Sequence, residues 1–92
     1  MTMIRKIPTL SLTDFETKAK KKQIYQSMVE NITLGVEYDL DIINVAEIKD
    51  RGIIISVPKK EWKGGLEKAM DYYIIKEEYE ECTKIKNLIE KL

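Results

Sequence analysis

Two β-branched runs flank a four-residue break near the middle of the chain: Ile42, Ile43, Val45 and Ile48 before it, Ile53, Ile54, Ile55 and Val57 after it. The break itself is Lys49-Asp50-Arg51-Gly52. Asp bonds its own backbone in tight turns and Gly accepts a left-handed conformation, so this tetrapeptide suits a hairpin connection. Residues 36–57 are therefore predicted to form a β-hairpin. A helix over residues 39–50 competes, because Leu40, Ile43 and Glu47 also fall at helical spacing. Strand is preferred, and Pro58 ends the second strand because it has no amide to donate to a ladder.

The segment before the hairpin carries a helix signature. Residues 2–7 could form a short strand ended by Pro8. Thr13 and Glu16 then make a Ser/Thr-x-x-Glu capping box, with Leu12 placed as its hydrophobic staple. Phe15, Ala19, Tyr25, Met28, Val29 and Ile32 line roughly one face of a helix running to about residue 31, with Gly35 as its stop. After the hairpin, Lys59 to Lys63 is expected to turn around Trp62. Gly64-Gly65 is the only credible flexible joint; it divides a single domain of residues 1–92 into a helix-plus-hairpin segment, residues 1–63, and a helical segment, residues 66–92.

Residues 66–92 fit two helices. Leu66, Met70, Tyr73 and Ile74 make one stripe of the first helix, and Ala69, Tyr72 and Ile75 make another. Tyr79, Cys82, Ile85, Ile89 and Leu92 form a narrow seam on the second. The break falls at Lys76-Glu77-Glu78, where acids suit the start of a new helix. A helix apolar on two sides needs two covers, so the first is expected between the second helix and the β-hairpin.

This stretch resembles the UVR domain, a short helical hairpin of bacterial excision-repair subunits and some chaperone-associated regulators. The residues in register are Leu66, Met70, Glu78, Tyr79, Glu80, Cys82-Thr83, Ile85, Lys86, Ile89 and Leu92. The chain departs from the family at Cys82-Thr83, Lys86 and Asn87, where Ala-Ala, Arg and Asp are usual. The resemblance covers residues 66–92 and implies a protein-docking element that pairs with a like hairpin or with a partner's surface. Its docking residues would be Tyr72, Tyr73, Tyr79, Cys82, Ile85, Lys86 and Ile89.

Composition narrows the function classes. The 92 residues are 43% hydrophobic and 35% charged, which suits a folded domain with a densely charged surface. Formal charge is zero, but residues 1–30 carry +3, residues 31–65 carry −1 and residues 66–92 carry −2. Histidine is absent, so the most frequent general base and metal ligand is missing. The lone Cys82 reads as a small core residue on an apolar seam rather than a nucleophile. Asp39 and Asp41, and the run Glu77-Glu78 with Glu80-Glu81, read as solvated acids rather than cation ligands. Catalysis has no visible machinery, and no cofactor is expected. A single cysteine, no secretory leader and no membrane-length apolar run suggest a cytoplasmic protein without membrane contact.

The basic cluster Lys18, Lys20, Lys21 and Lys22 is the strongest nucleic-acid signal, though four lysines on a neutral domain support only weak binding. A solvated helix face explains the same cluster. Tyr72, Tyr73, Tyr79 and Trp62 serve equally as interface anchors or core.

The sequence thus predicts an α+β domain, in which a small antiparallel β-hairpin sheet is packed by an N-terminal helix and a C-terminal helical hairpin. The leading expectation is an accessory or regulatory module that binds another protein, or itself as a homo-oligomer, through residues 66–92. Size and an isoleucine- and lysine-rich composition also fit a phage-encoded protein that docks on or inhibits a larger machine. A nucleic-acid-binding regulator using Lys18 to Lys22 is the alternative, and a small-ligand binder at an oligomer interface is a third.

Overall fold

Gly52 adopts φ +62°, the left-handed conformation that lets the chain reverse after Asp50. In the computed structural model, which describes residues 7–17 and 20–92, this reversal joins two of three strands. The elements in chain order are β1 (Thr9–Leu10), α1 (Leu12–Thr17), α2 (Lys21–Glu37), β2 (Ile42–Ile48), β3 (Ile53–Pro58), a 3-10 turn (Lys59–Glu61), α3 (Trp62–Ile75) and α4 (Tyr79–Glu90). The architecture is α+β, with sheet order β1-β2-β3.

The predicted hairpin forms, though it begins at Ile42 because Val36 and Glu37 belong to α2, and the competing helix over residues 39–50 does not form. Antiparallel pairing runs from Ile42 opposite Pro58 to Ile48 opposite Ile53, with a bulge between Asn44 and Ala46. The bulge lets both Val45 and Ala46 bury their side chains. Val45 has no register partner in β3, and its carbonyl instead accepts from the buried Ser27 hydroxyl of α2 at 2.7 Å. Asn31 donates to the Ser27 carbonyl at 2.8 Å, so the two buried polar residues of α2 satisfy each other and the sheet.

The sheet is mixed rather than purely antiparallel. Thr9 and Leu10 pair in parallel with Glu47 and Ile48, and the Glu47 and Lys49 amides donate to the Pro8 and Leu10 carbonyls at 3.0 Å each. Of the strand expected over residues 2–7, residues 2–6 lie outside the described residues and Ile7 is not in a strand; within the described residues the pairing begins at Thr9.

The single N-terminal helix is in fact two. Helix α1 is capped by Ser11, whose hydroxyl accepts the Asp14 amide at 3.0 Å, rather than by Thr13, which is already helical. The Leu12 amide donates to the Asp50 carboxylate at 2.9 Å, tying the start of α1 to the hairpin turn. Helix α2 then runs past Gly35 to Glu37. Its stop is a Schellman motif in which Asp39 takes the left-handed position at φ 55° and the Leu40 amide returns to the Gly35 carbonyl at 2.8 Å. Gly35 serves packing instead. A β-carbon there would lie 2.5 Å from the Trp62 ring, which is fully buried beneath it.

Gly64 and Gly65 lie inside α3 and form no joint. Trp62 at the head of α3 donates its indole N–H to the Val57 carbonyl at 2.8 Å, which fixes that helix on the end of β3. One hydrophobic core runs through the whole arrangement, from Leu10 and Ile32 through Val45, Trp62 and Leu66 to Ile85. Helix α3 packs mainly against α4 and α2 rather than between α4 and the β-hairpin as the sequence suggests, and Trp62 ties its start to β3. No helix among the described residues is long and apolar enough to cross a membrane.

Candidate functional site

The helical hairpin turns where the sequence predicts, at Lys76-Glu77-Glu78. The turn is a second Schellman motif: Glu77 is left-handed at φ 59°, its amide donates to the Ile74 carbonyl at 3.0 Å, and the Glu78 amide reaches the Tyr73 carbonyl at 2.9 Å. A non-glycine residue in that conformation costs about 1 kcal/mol, which the paired carbonyls and the packing of both helices offset. Glu80 and Glu81 in the first turn of α4 complement its dipole, and Lys84 pairs with Glu81 at 3.2 Å.

The seam that closes the hairpin is internal. Tyr73, Leu66 and Ala69 on α3 and Ile85 and Leu88 on α4 are buried, with Met70, Cys82 and Ile89 packed at its margin. The expected docking residues Tyr73 and Ile85 are therefore spent inside the domain, because α4 has no other apolar surface to lay on α3. Leu88 replaces Leu92 in the seam, and Leu92 is exposed. Leu92 lies past the last residue of α4, Glu90, where the helix no longer holds it against α3. Cys82 is part-buried, its thiol 3.9 Å from the Met70 carbonyl.

Burial and the acids of α4 push the Tyr73 phenol up to about 12: desolvation comes first, then Glu81 and Glu78, with Tyr72 and Glu30 adding to them. The ring sits edge-on to Tyr72, with centroids 5.1 Å apart.

What the hairpin leaves outside is its tip. Ile75 is 79% exposed, Tyr79 61% and Ile74 47%, grouped around the turn. None of these three contributes to the core. Lys76, Glu77 and Glu80 surround them as exposed charged residues. Tyr72 is half-buried and Lys86 exposed, so of the expected docking residues Tyr79 and Lys86 are the freely accessible ones.

A second feature lies between the first turn of α2 and the C-terminal half of α3. Lys21 and Lys22 share a cleft of about 610 Å³ with Lys68 and Lys76. Tyr25 and Tyr72 also line it, with ring centroids 5.2 Å apart and tilted by 42°. The Lys76 ammonium lies 5.8 Å from the Tyr72 ring centroid. Asp71 and Ile75 complete the wall. Lys20 is exposed just ahead of α2, and Lys18 lies outside the described residues. The sequence singled out the α2 lysines but not Lys68 and Lys76, whose approach depends on how α3 crosses α2.

Asp39 has its carboxylate almost wholly in solvent, 3.9 Å from the Lys59 ammonium. Among the described residues no three His, Cys, Asp or Glu side chains cluster in a way that could hold a metal ion. No family model, no curated protein and no solved structure matches the chain.

Proposed function

We propose that this protein is a small accessory module that binds another protein through the tip of its C-terminal helical hairpin. The observation that carries this reading is the exposure of Ile74, Ile75 and Tyr79 around one hydrogen-bonded turn, while the hairpin's other large apolar side chains, Leu92 apart, are buried or packed at the seam. Interfaces concentrate their energy in a few central apolar or aromatic residues ringed by polar ones. Ile75 and Tyr79 with their surrounding charges have that form. The likeness of residues 66–92 to a UVR hairpin supports the same role, with the contact moved from the seam to the tip. The tip is small, so the partner must add a pocket or groove of its own to reach the area that a stable complex needs.

The test is a pair of variants that touch no core residue. Tyr79→Ala and Ile75→Asp are expected to keep the far-UV circular dichroism and melting temperature of the parent. In the same variants, self-association by light scattering, or capture of a partner, should fall at least tenfold. Normal association in both folded variants would remove the tip from consideration. Ile85→Asp is the contrasting control: it places a charge in the seam and is expected to unfold the domain.

A further inference from the structure

We infer that the cleft between α2 and α3 binds a short single-stranded nucleic-acid segment. Lys21, Lys22, Lys68 and Lys76 would meet its phosphates, and the Tyr25–Tyr72 pair would receive a base. This is a different surface from the apolar tip formed by Ile74 and Tyr79, though Ile75 borders both.

Four lysines against one acid, Asp71, converge here in a chain whose formal charge is zero, so the concentration is local rather than a consequence of composition. Their placement also runs against helix electrostatics. Lys21 and Lys22 open α2, where the backbone already presents positive partial charge, and that first turn holds no acid and no side-chain cap. Folding would be better served by acids or a hydroxyl cap at those positions. An anion in the cleft reverses the sign of that conflict, because it would draw on the exposed α2 amides and the ammonium groups together.

The tyrosines decide between kinds of anion. Tyr25 and Tyr72 pack on the core from one side, yet both stay half-exposed at the cleft with ring centroids 5.2 Å apart, so they offer aromatic surface beside the lysines. Aromatic walls flanked by cations are how proteins hold unpaired bases and their phosphates without demanding a particular sequence. The site is an open groove between two helices whose basic lining is limited to four lysines, which suits a short single strand better than a duplex. An acidic peptide would use the lysines but not the rings.

The experiment is fluorescence anisotropy with fluorescein-labelled ten-nucleotide oligothymidylate and oligouridylate, using the intact chain at 50 and 200 mM NaCl. Four phosphate contacts give a log–log salt slope of about −3, so the fourfold rise in salt should weaken binding by about 50-fold. Lys68→Glu/Lys76→Glu and, on the other wall, Lys21→Glu/Lys22→Glu should each weaken binding at least tenfold. Lys49→Glu/Lys91→Glu, with the same change in net charge away from the cleft, should bind like the parent. Tyr72→Leu should lower affinity while leaving the salt slope unchanged. The inference is overturned if the parent shows no saturable binding at 50 mM NaCl, or if the control pair weakens binding as much as the cleft pairs. It is equally overturned if polyglutamate or duplex DNA of matched charge competes as well as the single strand. Lys21→Glu/Lys22→Glu changes no residue of the tip, so losing the oligonucleotide in that variant while keeping the protein partner separates this site from the tip.

Discussion

Gly35 and Gly64 both lie within helices, yet a methyl group would have opposite effects at the two positions. At Gly64 a β-carbon meets nothing within 4 Å, so Gly64→Ala should raise stability by about 0.5–1 kcal/mol through helix propensity and reduced freedom of the unfolded chain. At Gly35 the same carbon would sit 2.5 Å from Trp62 and 3.1 Å from Ile43. The indole cannot swing aside, because its N–H is bonded to Val57 and the ring is fully buried. Gly35→Ala should therefore lower stability by about 1–3 kcal/mol even after the propensity gain. Urea titrations of the two variants check both signs. A Gly35→Ala protein as stable as the parent would mean that the α2–α3 contact yields more easily than its geometry indicates.

At the scale of elements, Tyr73 joins α3 to α4 and makes that joint sensitive to alkali. Its phenol titrates at about 12 in the folded protein against 10 for an ordinary tyrosine. The unfolded chain therefore releases this proton first, and the stabilisation held in the neutral phenol is complete below pH 10 and lost as pH rises toward 12. Urea midpoints measured from pH 9 to 11 should fall more steeply for the parent than for Tyr73→Phe. Parallel declines would show that Tyr73 does not set the alkaline limit. The elements that sequence made legible were those whose signals are local: the β-branched runs around Asp50 and Gly52, and the two apolar stripes broken at Lys76-Glu77-Glu78. Those it concealed depend on distant contacts. Ser11 rather than Thr13 caps α1 because Leu12 is already held by Asp50. Gly64-Gly65 is helical because Trp62, just before it, is anchored on β3. Tyr73 and Ile85, expected at a docking surface, are buried for a related reason: periodicity identifies an apolar stripe but does not say whether a neighbouring helix already covers it. Lys68 and Lys76 carried no signal linking them to Lys21 and Lys22, since only the crossing of α2 and α3 brings them together.

At the scale of the molecule, the three helices longer than two turns and the β2–β3 hairpin share one core, while β1 joins the sheet from far along the chain. The contact of Leu12 with Asp50 spans 38 residues, and closing a loop of that length costs about 3 kcal/mol of chain entropy. Two ladder pairs and the burial of Leu10 must offset it. The β2–β3 turn and the α3–α4 turn close over a few residues and face no such cost. Folding is therefore expected to follow an order in time, the two local hairpins collapsing early and the parallel strand seating last. By microscopic reversibility it also leaves first. Hydrogen exchange should find the Glu47 and Lys49 amides, which donate to Pro8 and Leu10, less protected than those of Val29 and Ile32 in α2. Equal protection would make β1 belong to the global unit. With lower protection at those two amides, a state in which the N-terminal strand has peeled away while the core persists is populated at equilibrium. In that state β2 has an unpaired edge, and the barrier to pairing it with a strand from elsewhere is set by two residues.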